Sequence, residues 1–197
     1  ADEALTVSGG EIRVLASYEE LEGSTVTITG GTIDIVCSDD GVNAAGDADG
    51  SGFGGFGFGN TFGSGNSDYY IDISGGSLCL SAGGDGIDSN GAITISGGTL
   101  VIASTGQDDG ALDCEGTFTL SGGTLFAADS GMMSQTPGNA SQYSVCIGFD
   151  SILSAGTYVS LASETQSFVF QLPVDTQNLI FSAPELSGGE TYTVSYG

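Results

Sequence analysis

Histidine, lysine and tryptophan are absent from this chain, and arginine occurs once, at Arg13. Without histidine or lysine two of the common proton-transfer groups are missing, and no serine has an imidazole partner. Phosphate recognition needs lysine or arginine, which excludes nucleic acid as a direct partner. The same shortage argues against anionic membrane surfaces. Cys37, Cys79, Cys114 and Cys146 form no CxxC pair and have no histidine beside them, so zinc is disfavoured. No apolar run approaches the ~20 residues of a membrane-spanning helix. Glycine is abundant, at 35 of 197 residues, but it has no three-residue period, which removes collagen.

Against these absences stand 25 acidic residues and a formal net charge of −24. With 39% hydrophobic residues the chain is nonetheless composed to bury a core, and its length suits one domain. Self-repulsion of this size destabilises a compact state unless cations neutralise it. Evenly spread acids would indicate a high-salt habitat. Here the acids cluster at turns, which favours bound divalent ions.

Four acidic turns recur, each ahead of a strand-like run and a Gly-Gly doublet. They are Tyr18–Gly23, Ser38–Asn43, Gly84–Ser89 and Gln107–Asp113. The doublets are Gly9-Gly10, Gly30-Gly31, Gly75-Gly76, Gly97-Gly98 and Gly122-Gly123, with intervals of 21, 22 and 25 residues where no insertion intervenes. Apolar residues alternate with polar ones before each doublet (Val26/Ile28, Ile71/Ile73, Ile93/Ile95, Phe118/Leu120). They do so again after it (Ile12/Val14, Ile33/Ile35, Leu78/Leu80, Leu100/Ile102, Leu125/Ala127). A period of two is strand, and no helical period is present. Each repeat therefore reads as acidic turn, strand, Gly-Gly turn, strand. Units of ~22 residues in register stack as an all-β, right-handed parallel β-helix. An antiparallel sandwich is the alternative, but hairpins would not return the same turn chemistry once per repeat.

The rungs are expected over 1–135, with a Gly/Phe-rich insertion at 46–68. Its Phe53, Phe56, Phe58 and Phe62 either pack back on the flank of the helix or form a sugar-stacking surface. Within it, Asp47-Ala48-Asp49-Gly50-Ser51 resembles the start of an EF-hand loop but lacks the closing glutamate. From 136 to 197 the spacing suggests hairpins, read as a C-terminal β cap integral to the same domain. The cysteines are expected as small buried side chains, with one disulfide the alternative. The abrupt start at Ala1 within a repeat reads as part of a longer secreted or surface protein.

Stacking places equivalent side chains about 4.7–4.9 Å apart on successive rungs. Two carboxylates at ~5 Å repel by about 3 kcal/mol at an effective dielectric of 20. A column of them is a liability unless occupied. Calcium takes six to eight oxygens at about 2.3–2.6 Å, so an ion between two rungs reaches both. Magnesium suits an all-protein cage less well. The candidate ligands are Glu19, Glu20 and Glu22, then Asp39, Asp40 and Asn43, then Asp85 and Asp88, then Asp108, Asp109 and Asp113. A single Asp-Gly would be an ordinary Asx turn; four stacked copies point to metal. The chain offers no catalyst. Arg13 is the sole candidate base for β-elimination and lies far in sequence from the third and fourth turns. The carboxylates look committed to metal rather than split into acid and base.

The succession LTVSGGEIRV, YEELEGSTVTITGGTIDI, SDDGVNAAGD, the Gly/Phe insertion, GDGIDSNGAITISGGTLVI, QDDGALDCEGTFTLSGGTL and GETYTV resembles a family of bacterial surface carbohydrate-binding domains. These are calcium-binding parallel β-helices, similar in fold to family 9 pectate lyases but without their activity. The resemblance covers essentially the whole chain. It implies binding of acidic cell-wall polysaccharide, polygalacturonate above all and also cellulose, at the cell surface or outside the cell; the chain is expected to be a monomer. It implies Glu22, Asp40, Asn43, Asp85, Asp88, Asp109 and Asp113 as calcium ligands. The fourth turn departs by one extra residue between Gly110 and Asp113. The competing readings are a calcium-stiffened adhesin or stalk segment without glycan binding, and a weak polysaccharide lyase.

Overall fold

The computed structural model describes residues 3–18, 21–45, 67–131 and 134–197. Among them there is no helix, and the strands are β1 Ala4–Ser17, β2 Leu21–Gly23, β3 Thr25–Cys37, β4 Val42–Ala44, β5 Tyr70–Ala82, β6 Ile87–Ser89, β7 Ala92–Ser104, β8 Leu112–Cys114, β9 Phe118–Asp129, β10 Asn139–Ala140, β11 Ser144–Leu153, β12 Tyr158–Ala162, β13 Ser167–Gln171, β14 Thr176–Ser182 and β15 Thr193–Tyr196. Five long strands pair in parallel in the order β1-β3-β5-β7-β9, and four short ones pair in parallel in the order β2-β4-β6-β8. One long and one short strand make a turn of the coil, so the chain is a β-solenoid of about five turns.

Alternation along each strand becomes columns across rungs. Val7, Ile28, Ile73, Ile95 and Leu120 form one inward ladder. Ile12, Ile33, Leu78, Leu100 and Leu125 form another. Leu21, Val42, Ile87 and Leu112 face them from the short sheet. All join one continuous core, with Ile12 at its half-buried first rung. Each fully buried Ile or Leu side chain contributes roughly 1.5–3 kcal/mol of hydrophobic stabilisation.

The Gly-Gly doublets differ in place from the sequence reading. Each lies inside one continuous long strand, where the ladder register shifts, rather than between two strands. The second glycine turns the corner at positive φ, as at Gly31 (φ +101°). The first has no room for a side chain: a Cβ on Gly97 would stand 2.3 Å from the Ser74 carbonyl oxygen one rung below. Gly9, on the first rung, meets no such neighbour. One glycine thus serves the bend and the other the stacking.

Glycines of the acidic turns are held by the same stacking. A Cβ on Gly86 would lie 2.2 Å from Ile102 Cγ2 and 2.6 Å from the Ala111 oxygen. Gly86→Ala is expected to destabilise the fold by about 1–3 kcal/mol. The urea midpoint reads this, and an unchanged midpoint would mean that the turns separate freely.

Beyond β9 the pairing becomes antiparallel. β10 adds two residues in parallel to β9, then β14 and β11 continue the sheet antiparallel. β12 pairs with β13 and β15 in a separate small sheet. These strands bury a second core of Phe126, Ala128, Phe149, Val159, Leu161 and Phe181, among others, on the outer side of the last rungs. The cap therefore both covers the sheet edge and laps over one face.

None of the four cysteines is in a disulfide. Cys37 and Cys114 are buried as expected, but Cys79 and Cys146 are exposed, because both fall on outward positions of their strands. Cys79 stands in register with Asp34 and Val101 on the outer face.

Candidate metal centre

The short strands place one polar side chain per rung on the outer face. Leu21, Val42, Ile87 and Leu112 point inward, and so do Ala44, Ser89 and Cys114; the residue between them alternates to the opposite face, where Asn43 is buried and Glu22 exposed. Register puts Glu22 beside Asn43, Asn43 beside Asp88, and Asp88 beside Asp113. Parallel pairing of identical turns thus converts a sequence period into a column of oxygens.

A second set of acids enters from the turns ahead of these strands. Asp40 Oδ1 accepts the Asp85 N–H at 2.8 Å, and Asp85 Oδ1 accepts the Gly110 N–H at 2.6 Å. The register partner of Asp85 in the fourth turn is therefore Gly110, and the extra residue displaces Asp109 from the column. Asp109 instead feels the charges of Asp108 and Asp39.

Asp85, Asp88 and Asp113 converge: each offers a carboxylate oxygen, and the three oxygens lie within 4.8 Å of one another. All three are half-buried. Burial is the largest influence on Asp85, whose pKa rises to about 7; the Gly110 N–H opposes this, and Asp40, Asp113 and Asp109 reinforce it. Burial likewise leads for Asp88, raised to about 8, followed by the charges of Asp85, Asp40 and Asp113. Asp113 and Asp109 are also raised, first by burial. Next to this cluster, Asn43 is 5% exposed and its Oδ1 has no hydrogen-bond partner. A buried amide oxygen without a partner is uncommon and calls for an explanation.

These donors can hold a divalent cation. Oxygens up to 4.8 Å apart can share one ion at calcium's ~2.3–2.6 Å bond length. The set is all oxygen. The neighbouring Cys114 thiol is pushed up to about 11, mainly by burial, and does not compete as a thiolate ligand.

The other expected ligands sit around this cluster. Asp40 is half-buried and touches it through Asp85. Asp39 is half-buried on the flank, while Glu22 and Asp108 are exposed at the rim. Glu19 and Glu20, the Asp47–Ser51 segment and Phe53, Phe56, Phe58 and Phe62 lie outside the described residues.

Two polar residues were not legible as part of the site. Gln135 extends the short sheet by donating its N–H to the Leu112 oxygen at 3.1 Å. Its side-chain Nε2 donates to Asp113 Oδ1 and, at 3.0 Å, to the Cys114 oxygen. The column thus ends in a neutral amide. Asp129, 1% exposed, accepts the Ala111 N–H at 3.1 Å and the Asn178 Nδ2 at 2.8 Å, anchoring the irregular fourth turn. Gln135 lies beyond the last repeat, and Asp129 stands where the rungs before it carry Ser104 and Ala82, so no repeated residue type signalled either.

Arg13, the single cation of the chain, lies on the outer face of the long sheet, opposite in register to Asp34. Its Nε stands 3.4 Å from Asp34 Oδ2, an exposed pair of little energetic weight.

A family model described as carbohydrate-binding domain-containing protein matches residues 1–167. No curated protein and no solved structure matches the chain. The match covers most of the sequence, so the chain belongs to this carbohydrate-binding family, and a carbohydrate-binding role comes with membership.

Proposed function

We propose that this member of the carbohydrate-binding family is a non-catalytic, calcium-dependent domain of a secreted or surface protein that binds acidic polysaccharide of the polygalacturonate type. The observation that carries the reading is the convergence of Asp85, Asp88 and Asp113 beside the unpartnered Asn43 oxygen. Asp40 would complete the set from the preceding turn, with Glu22, Asp39, Asp108 and Asp109 as further donors at the rim.

Charge supplies the link to the glycan. A chain of net charge −24 repels a polyuronate. Bound calcium would neutralise the column and present positive charge to glycan carboxylates. Glu22 on the first rung and Asp108 in the fourth turn are both exposed, which leaves the rim of the site accessible to a polymer. The sole cation, Arg13, is engaged with Asp34 and sits on another face, which supports neither a lyase base nor phosphate binding. We assign the domain as a monomer.

A second reading has its own support: the Gln135 amide covers Asp113, as in a closed site whose ion only stiffens the solenoid. Calorimetry separates the two. Metal-stripped protein is titrated with calcium and then with polygalacturonate. Stoichiometric calcium uptake followed by saturable, EDTA-reversible glycan binding is expected. Calcium uptake without a glycan response would assign the ion to structure alone, and no calcium uptake would overturn the site.

A further inference from the structure

The small sheet of the cap runs in the order β13-β12-β15, so β13 is an edge strand. Its pairing with β12 fixes which of its backbone groups are used. At one end the Ser163 N–H donates to the Gln166 oxygen at 2.8 Å; at the other the Leu172 N–H donates to the Thr157 oxygen at 2.9 Å. Opposite residues of an antiparallel pair alternate between bonded and non-bonded. Counting inward from both ends, the groups of Phe168 and Phe170 turn toward Leu161 and Val159 on β12. Those of Ser167, Val169 and Gln171 turn the other way, where no strand among the described residues pairs with them.

That edge is undefended. Proteins blunt open edges with lysine, proline or a bulge. β13 reads Ser-Phe-Val-Phe-Gln, without charge or proline, and its register with β12 is unbroken. Val169 is 62% exposed.

The edge also borders a groove. Phe170 packs its ring 5.1 Å from that of Phe126 and 4.5 Å from that of Phe181, which seats β13 over the outer face of β9 and β14. Beside it remains a groove of about 260 Å³, bordered by Thr99, Val101, Thr124, Phe126, Phe170 and Gln171. No ionisable side chain lines it. Acids stand instead at the turn leading into β13, where Glu164 neighbours Glu190 and the Glu190 carboxylate accepts from Thr165 Oγ1 at 2.8 Å.

The geometry points to a strand-accepting site: an extended peptide of a partner protein adds to β13. It pairs with Ser167, Val169 and Gln171, sets apolar side chains against Val101 and Phe170, and carries a basic residue toward Glu164 and Glu190. Free backbone donors and acceptors at every second residue are what another extended polypeptide fills. The uncharged groove takes its alternate side chains. A net charge of −24 favours a basic segment over an acidic one. The site is independent of the acidic column, because Asp88 and Asp113 project from another sheet.

The test is hydrogen exchange of the whole chain, read by NMR in calcium and again in EDTA. The probe is a synthetic peptide of alternating valine and threonine flanked by lysines. In the free protein the amides of Ser167, Val169 and Gln171 are expected to exchange fast, and those of Phe168 and Phe170 slowly. The peptide should slow the first three about tenfold and leave the other two unchanged, alike in both buffers. Val169→Pro removes an outward N–H without touching the β12 ladder and is expected to weaken peptide binding about tenfold. Where the proline disturbs folding, Val169→Lys sets a charge against the lysine-flanked strand and should weaken binding similarly. Val194→Pro, at the opposite edge on β15, should leave binding unchanged. An unchanged exchange pattern overturns the proposal. So does equal protection by the same peptide N-methylated along its length, which would reduce the effect to charge attraction. Protection that grows with protein concentration alone would give the edge to a second copy. Protection by polygalacturonate but not by peptide would give it to a glycan, and either result overturns the peptide site.

Discussion

Calcium added to metal-stripped protein is expected to raise its melting temperature by roughly 5–10 °C, and Asp88→Asn to abolish most of that gain. A ligand at one hundred times its Kd contributes about 2.7 kcal/mol to a folded state that alone binds it. For a chain of this size each kcal/mol moves Tm by about 2–4 °C. The substitution acts in opposite directions in the two states. Without metal, Asp88 is a half-buried acid facing Asp85, Asp40 and Asp113, so a neutral amide relieves repulsion and Asp88→Asn should melt at or above wild type. With calcium, the variant lacks a carboxylate of the converging trio and should melt below wild type. Scanning calorimetry of both proteins in EDTA and in calcium reads the crossing. Parallel destabilisation in both buffers would show that Asp88 serves the fold rather than an ion.

The metal-free protein should lose stability as pH rises from about 4 to about 8. Asp85 and Asp88 have folded pKa values raised from 3.8 to about 7 and about 8, because burial and neighbouring carboxylates penalise their charged forms. The folded state therefore holds protons that the unfolded chain has already released. The stabilising contribution is complete below the unfolded value of 3.8 and fades as pH rises through the folded values. A shift of about three units in one of the two acids corresponds to about 4 kcal/mol. That is a fall in Tm on the order of 10 °C across the window. Saturating calcium should flatten or invert the slope, since it binds the deprotonated carboxylates and displaces their protons. Melting curves from pH 4 to pH 9 with and without calcium test this. A metal-free protein that grows more stable over the same range would mean that the acids are solvated rather than packed together.

Much of this molecule is written at the level of single turns. Alternation such as Ile71/Ile73 and Leu78/Leu80 specifies strands, because each pair can reach the core only in an extended chain. Recurrence of those pairs behind an acidic turn specifies parallel stacking, because only a coil returns the same residue to the same place. The column Glu22, Asn43, Asp88, Asp113 follows directly, since ladder register repeats what the sequence repeats.

The limits of that legibility lie where the period breaks. One inserted residue moves Asp109 out of line and hands its place to Gly110, whose N–H donates to the Asp85 carboxylate and whose carbonyl accepts from the Gly86 N–H. Gln135 and Asp129 act once each and have no repeat to announce them. The groove at Phe126 and Phe170 joins segments over forty residues apart, and only the folding of the cap over the last rungs brings them together. By itself the sequence determined the strands, their stacking and the acidic column, because these depend on local period and on neighbouring rungs. The tertiary structure alone decided which three carboxylates meet, what ends their column and where the uncharged groove opens, because these depend on contacts made once between distant parts of the chain.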